Sequence, residues 1–267
     1  MSTRRRTACE AAAVDEASPA REAAAAAAAE LVEPGMTIGL GSGRAVWAVT
    51  RRLPAGTRAV VASERTRELA LEVGIDVLEL DGTLELDLAL DGADEVGPGL
   101  GLIKGGGGAL LREKIVISAA RRFVVVAEAP KKVERLGQNF RLPVEIVRFA
   151  WKDTRRRLSS LLPDSELRMA GDQPYMTDEG HHILDATIPP DASPADLDLA
   201  LKRIPGVVEH GLFLDMAELA LLGHDDGTVE RLSPRLALSF LAAGPAPARR
   251  DPGPAGPRTA DPATQAW

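Results

Sequence analysis

Residues 86–127 read LDLALDGADEVGPGLGLIKGGGGALLREKIVISAARRFVVVA. The leucine-rich segment 86–90 predicts a strand, the segment 110–120 a helix, and the apolar run at 123–127 a second strand. Mostly apolar strands joined through a helix belong to a parallel sheet that is buried on both faces. Between the first strand and the first turns of the helix lie Asp91, Asp94, Lys104, four consecutive glycines (105–108) and Glu113. Ligands of such sheets bind beyond the carboxyl ends of the strands, so this loop is the first candidate site.

Outward from this unit the alternation continues. A helix is expected over 18–32, with Ser18 as N-cap and Pro19 at the first helical position. Strands at 36–40, 59–62 and 76–80 then alternate with helices at 44–53 and 64–73. The expectation is an α/β fold: a Rossmann-like open, mostly parallel sheet with helices on both faces, built from 18–141 and 214–240. A hairpin at 219–232, turning at Asp225-Asp226-Gly227, returns the chain to it. The pattern changes near Leu142-Pro143. Strands at 144–149 and 165–170, helices at 152–161 and 194–203, a hairpin of 175–177 with 181–187 around Asp178-Glu179-Gly180, and a strand at 207–213 follow. That order predicts a small α+β (ferredoxin-like) lid domain over 142–213. Residues 1–17 and 241–267 read as disordered tails.

Composition narrows the function. The chain has 267 residues, 45% of them hydrophobic, and a net charge of −7, which suits a globular domain and argues against nucleic acid as a general partner. Cys9 is the one cysteine, so neither a disulfide nor a cysteine metal site is available and a cytoplasmic protein is expected. The alanine run at 23–29 is flanked by Glu22 and Glu30, and no stretch approaches the length of a membrane-spanning helix. No membrane partner, cofactor or metal is expected.

The loops carry the chemistry. Gly39-Leu40-Gly41-Ser42-Gly43-Arg44 follows a strand and opens a helix, where backbone N–H groups can meet a phosphate. The same spacing fits a plain tight turn or, less well, a dinucleotide loop, because the third glycine of that fingerprint is missing. Asp91-Gly92-Ala93-Asp94-Glu95 sets three acids within five residues, more than a capped turn needs. Lys104 with Gly105, Gly106, Gly107 and Gly108 suggests an anion nest with a charge at its edge. Each glycine gives up about 0.5–1 kcal/mol against alanine in regular structure, which makes a mere linker the weaker reading. Glu113 is expected to stay ionised beside helix-end N–H groups and to serve as a base. His181-His182, His210 and His224 lack the spacing of a metal site, whereas Lys131-Lys132 follows a site-side strand end.

These blocks resemble ribose-5-phosphate isomerases of the A type. The resemblance rests on D-G-A-D-E at 91–95, I-K-G-G-G-G-A-L-L-R-E-K-I-V at 103–116, V-V-V-A-E-A-P-K-K-V-E-R-L-G at 124–137, L-P-V-E-I-V at 142–147 and P-G-V-V-E-H-G-L-F at 205–213. It implies interconversion of ribose 5-phosphate and ribulose 5-phosphate by metal-free proton transfer through an enediolate. By the same resemblance Glu113 carries the proton, Lys104 steadies the developing oxygen charge, and Asp91 and Asp94 assist ring opening. Ser42, Gly43, Arg44, Ala45, the loop Asp91-Gly92-Ala93-Asp94, Lys104 to Gly107 and Lys131 would contact the sugar phosphate. A homodimer or homotetramer is implied as well. Two loops depart from the family pattern. G-T-G-S-T is here Gly41-Ser42-Gly43-Arg44-Ala45, and D-x-S-K is Glu128-Ala129-Pro130-Lys131. Arg44 is expected to do by charge what two hydroxyls do by hydrogen bonds. The alternatives are a non-catalytic sugar-phosphate sensor and a CoA-transferase-like enzyme on the same sheet.

Overall fold

The computed structural model describes residues 18–234. Cys9, the tails expected at 1–17 and 241–267, and the last residues of the 214–240 segment lie outside them. In chain order the first half comprises α1 (Pro19–Ala29), β1 (Thr37–Leu40), α2 (Arg44–Thr50), β2 (Arg58–Val61), α3 (Glu64–Glu72), β3 (Asp76–Val77) and β4 (Leu88–Asp91). The short β5 (Glu95–Val96) and β6 (Leu102–Ile103) precede α4 (Leu110–Ser118) and β7 (Phe123–Glu128). Then come β8 (Leu142–Ile146), α5 (Trp151–Leu158), β9 (Glu166–Leu167), β10 (Met169–Ala170), β11 (Gln173–Pro174), β12 (His182–Ala186) and α6 (Pro194–Leu201). The last strands are β13 (Val207–His210), β14 (Leu212–Phe213), β15 (Leu219–Gly223) and β16 (Val229–Leu232).

The main sheet has the order β16-β15-β7-β4-β1-β2-β3. Only the β15–β16 pair within it is antiparallel. Side chains alternate across a strand, so the apolar runs split between two cores. Val124 and Val126 of β7 join Leu88, Leu90 and the α1 and α2 side chains on one face. Val125 and Ala127 join Ala89 and Ile117 of α4 on the other. Helices therefore cover both faces, as the sequence predicts. The alanines of α1 let it lie close on β15, where a Cβ at Gly223 would strike the Ala20 carbonyl. Ser18 caps α1, its hydroxyl accepting the Arg21 N–H at 3.3 Å.

A second sheet has the order β13-β8-β12-β9, all antiparallel neighbours, the strand order of a ferredoxin-like fold. Its side chains and α5 and α6 share their own core around Ile146, Leu158, Leu184 and Leu201. Three expectations for this region are corrected. The segment 175–177 is not a hairpin partner of 181–187; β12 pairs with β8 and β9, and only a turn joins Thr177 to His181. The strand expected at 165–170 breaks at Arg168 into β9 and β10, and β10 pairs with β11. The strand expected at 207–213 is divided at Gly211, whose N–H donates to the Pro143 carbonyl while its own carbonyl accepts from Lys104 N–H. Its second part, β14, enters a small sheet of order β14-β6-β5 that local sequence did not suggest. Two-residue strands are too short for a periodicity to reveal.

Candidate active site

The carboxyl ends of β1, β4 and β7 meet at one cavity of about 240 Å³. Gly41 makes the approach of the first two strands possible: its N–H bonds the Leu90 carbonyl at 3.0 Å, and a Cβ there would run into the Asp91 carboxylate. The next residues, Ser42 to Ala45, turn into α2 with Gly43 as its N-cap at φ 99°, a conformation that favours glycine. The cavity is lined by every residue expected to bind substrate except Asp91, and by Glu113.

Asp91 lies beneath the floor, wholly buried. Its Oδ1 accepts the N–H groups of Gly92 (2.7 Å) and Ser42 (3.2 Å), and its Oδ2 is 2.8 Å from Lys104 Nζ. Lys104 Nζ also lies 3.0 Å from Glu113 Oε2 and donates to the Gly92 carbonyl at 2.8 Å. One buried ammonium thus faces two buried carboxylates. Buried ions are tolerated only when paired and hydrogen-bonded, and here the anions outnumber the cation. Burial pushes the Glu113 carboxyl up to about 8, the Asp91 charge adds to the rise, and Lys104 opposes it. Burial likewise raises Asp91 against the pull of Lys104. Lys104 is itself desolvated, yet the two carboxylates raise its pKa, so it stays charged. The expectation that helix-end N–H groups keep Glu113 ionised is therefore corrected. Glu113 N–H continues the helix to the Ala109 carbonyl, and desolvation outweighs the helix end.

The acids of 91–95 are separated in space. Asp94 is half-buried at the cavity, with Oδ2 accepting Gly106 N–H at 2.7 Å. Glu95 turns away and accepts the N–H groups of Gly137 (2.6 Å), Asn139 (2.5 Å) and Phe140 (2.8 Å), which makes it a structural anchor of that loop. The glycine loop is not an open nest either. Gly106 N–H is taken by Asp94 and Gly108 N–H by the Gly105 carbonyl at 3.0 Å. Arg44 and Lys131 reach the cavity from beyond the carboxyl ends of β1 and β7, on either side of β4, while Lys132 pairs with Glu230 at 2.6 Å.

Sequence reasoning missed Arg21, which lines the cavity from α1 and pairs with Glu128 at 3.0 Å. It also missed Arg168 and Tyr175, which hold the glycine loop from the stretch between β9 and β12. Three of the histidines have structural partners or settings: His181 Nδ1 meets Glu145 at 3.0 Å, His182 Nδ1 meets the Tyr175 carbonyl at 3.0 Å, and His210 is buried. Among the described residues no three His, Cys, Asp or Glu side chains are grouped to hold a metal ion, and no helix is long and apolar enough to cross a membrane.

Residues 58–227 match the family model of ribose 5-phosphate isomerase A (phosphoriboisomerase A). The chain belongs to the ribose-5-phosphate isomerase A family. The matched stretch holds Asp91, Lys104, Glu113 and Lys131 but not the 41–45 loop, where the sequence departs from the family pattern. A ribose-5-phosphate isomerase A of Ruegeria pomeroyi is 47% identical, over 79% of this chain and 86% of its own length. A solved D-ribose-5-phosphate isomerase in complex with phospho-erythronic acid is 36% identical, with a TM-score of 0.74 over 80% of this chain and 97% of that one. The Plasmodium falciparum enzyme, 29% identical, superposes with a TM-score of 0.75 over 80% and 98% of the two chains.

Proposed function

We propose that the chain interconverts D-ribose 5-phosphate and D-ribulose 5-phosphate, with Glu113 as the group that carries the proton. The observation behind this is the Lys104 ammonium held between Asp91 and Glu113 at the floor of the cavity. Ionised Glu113 takes the proton from C2 of the open-chain aldose. The C2–H pair forms the C1–C2 double bond, and the carbonyl pair moves onto O1, giving an enediolate. Lys104 stabilises that oxygen charge. Glu113 returns the proton to C1 while the O2 hydroxyl proton passes to O1, leaving a ketone at C2. A base raised to about 8 suits this work, since proton transfer is most effective near the operating pH.

The two aspartates take different parts in this reading. Asp94 lines the cavity and touches the sugar hydroxyls during ring opening, whereas buried Asp91 positions Lys104. The phosphate sits at the start of α2, met by Ser42, Gly43, Ala45, Arg44 and Lys131. Phospho-erythronic acid, bound by the solved relative, carries a carboxylate and a phosphate. Those are the two anionic ends that Lys104 and the Arg44–Lys131 pair would receive.

We place the enzyme in the cytoplasm as a homodimer or homotetramer, for which light scattering is the direct measurement. The deciding experiment is an isomerase assay on ribose 5-phosphate with EDTA present. Turnover supports the metal-free isomerase; binding without turnover would favour a sugar-phosphate sensor instead.

A further inference from the structure

The glycine loop is held from behind by side chains that sequence reasoning did not connect to it. Arg168 Nη1 donates to the Gly105 carbonyl at 2.9 Å and the Gly106 carbonyl at 3.1 Å. Tyr175 donates its hydroxyl to the Gly107 carbonyl at 3.0 Å, and its ring fills the place that a Cβ on Gly108 would need. Neither side chain lines the active-site cavity. Arg168 lies in a separate groove on the other side of Gly106, with Asp185 beside it.

Arg168 is itself fixed. Asp185 of β12 grips it through two contacts, Nε to Oδ2 at 2.8 Å and Nη2 to Oδ1 at 2.5 Å. Its backbone N–H donates to the Ile183 carbonyl, and its own carbonyl accepts from Tyr175 N–H. A bidentate guanidinium–carboxylate pair is rigid, so the Nη1 that meets the loop is a fixed point rather than a mobile charge. Nothing in the proton-transfer chemistry uses this assembly, yet three successive loop carbonyls end on it.

The peptide group is planar and trans, so its C=O and N–H point in opposite directions. Drawing the Gly106 carbonyl towards Arg168 turns the Gly107 N–H the other way, on the loop that lines the cavity. We propose that Arg168, locked by Asp185 and seconded by Tyr175, is a positioning residue for catalysis: it orients the Gly107 N–H as a hydrogen-bond donor to the oxygens of the enediolate. Donors aimed in advance at a developing charge stabilise it without reorganisation, and small misplacements of such groups are expensive in rate. The stretch between β9 and β12 thus takes part in turnover through the backbone of the loop, without touching substrate.

This inference rests on the isomerase reading, and the wild-type control separates the two. Absence of turnover by the wild type would count against that reading; normal wild-type turnover with unaffected variants counts only against this one. The variants are Arg168→Lys and Tyr175→Phe, singly and together, measured for kcat, KM, melting temperature and inhibition by phospho-erythronic acid. For Arg168→Lys we expect kcat to fall about 10–100-fold, with KM changed little and inhibition weakened in parallel. Tyr175→Phe loses one neutral hydrogen bond and should lower kcat about 3–10-fold. The double variant should fall short of the product of the two losses, because both side chains act on one loop. Wild-type kcat and inhibition in folded single variants would overturn the proposal. So would a lowered melting temperature with unchanged kcat, which is the mark of a merely structural clamp.

Discussion

Replacing Glu113 by glutamine should abolish turnover and at the same time stabilise the protein at alkaline pH. The Glu113 carboxyl is pushed from 4.5 up to about 8 on folding, so between these values the folded state keeps a proton that the unfolded chain has released. For a group whose folded pKa is raised, the stabilising contribution is complete below the unfolded value and is lost as pH rises through the folded one. At about 1.4 kcal/mol per pH unit, that shift amounts to on the order of 5 kcal/mol above pH 8. Glu113 is only 5% exposed, so solvent screening takes away little of it. The shift already includes the attraction of Lys104. Glutamine preserves the shape and has no charge to desolvate. Denaturant unfolding at pH 5, 7 and 9 is therefore expected to show the two proteins nearly alike at pH 5. The Glu113→Gln variant should be more stable by several kcal/mol at pH 9 (on the order of the 5 kcal/mol above). Its kcat should fall by at least about 10²-fold, the ordinary contribution of a general base. In the wild type, kcat/KM should rise about tenfold between pH 7 and 9 as the base ionises. A stability difference independent of pH, or a near-normal kcat in the variant, would refute the argument.

Three further substitutions probe the surroundings. Lys104→Met strands Asp91 and Glu113 as buried carboxylates without their cation, and should cost about 3–5 kcal/mol in urea unfolding as well as turnover. Unchanged stability would mean that the cluster is solvated. Arg44→Ala removes an exposed cation from the cavity mouth. KM for ribose 5-phosphate should rise about 10–100-fold with kcat little altered, as expected for one charge-assisted hydrogen bond; an unchanged KM would remove Arg44 from phosphate binding. Glu95→Ala leaves the N–H groups of Gly137, Asn139 and Phe140 without their acceptor. The melting transition should lose about 3 kcal/mol while kcat of the folded protein is retained, and a selective loss of kcat would place Glu95 in the chemistry.

Much of the fold was legible because it is written in local periodicity. The runs that became β1, β4 and β7 are short, mostly apolar and followed by glycine or acid, and Ser18-Pro19 marks the start of α1. Such signals act between neighbours in the chain and need no knowledge of the rest. The main sheet and the α+β character of the second one followed from them. The small sheet of β5, β6 and β14 did not, because its two-residue strands carry no period and its partners lie far apart in sequence.

The site divides in the same way. The sequence by itself determined which chemical groups would be present: Asp91, Asp94, Lys104 and Glu113 fall within one strand-loop-helix unit, and their types already describe proton transfer beside an anion. Only the tertiary structure decided where each group lies and what surrounds it. It placed Asp91 beneath Lys104, turned Glu95 into a loop anchor, and raised Glu113 instead of holding it ionised. It also brought Arg168 and Tyr175 onto the glycine loop from more than sixty residues away. The physical reason is that proton affinity and hydrogen-bond partnership depend on exclusion of water and on neighbours in space, and neither quantity exists until the chain has folded.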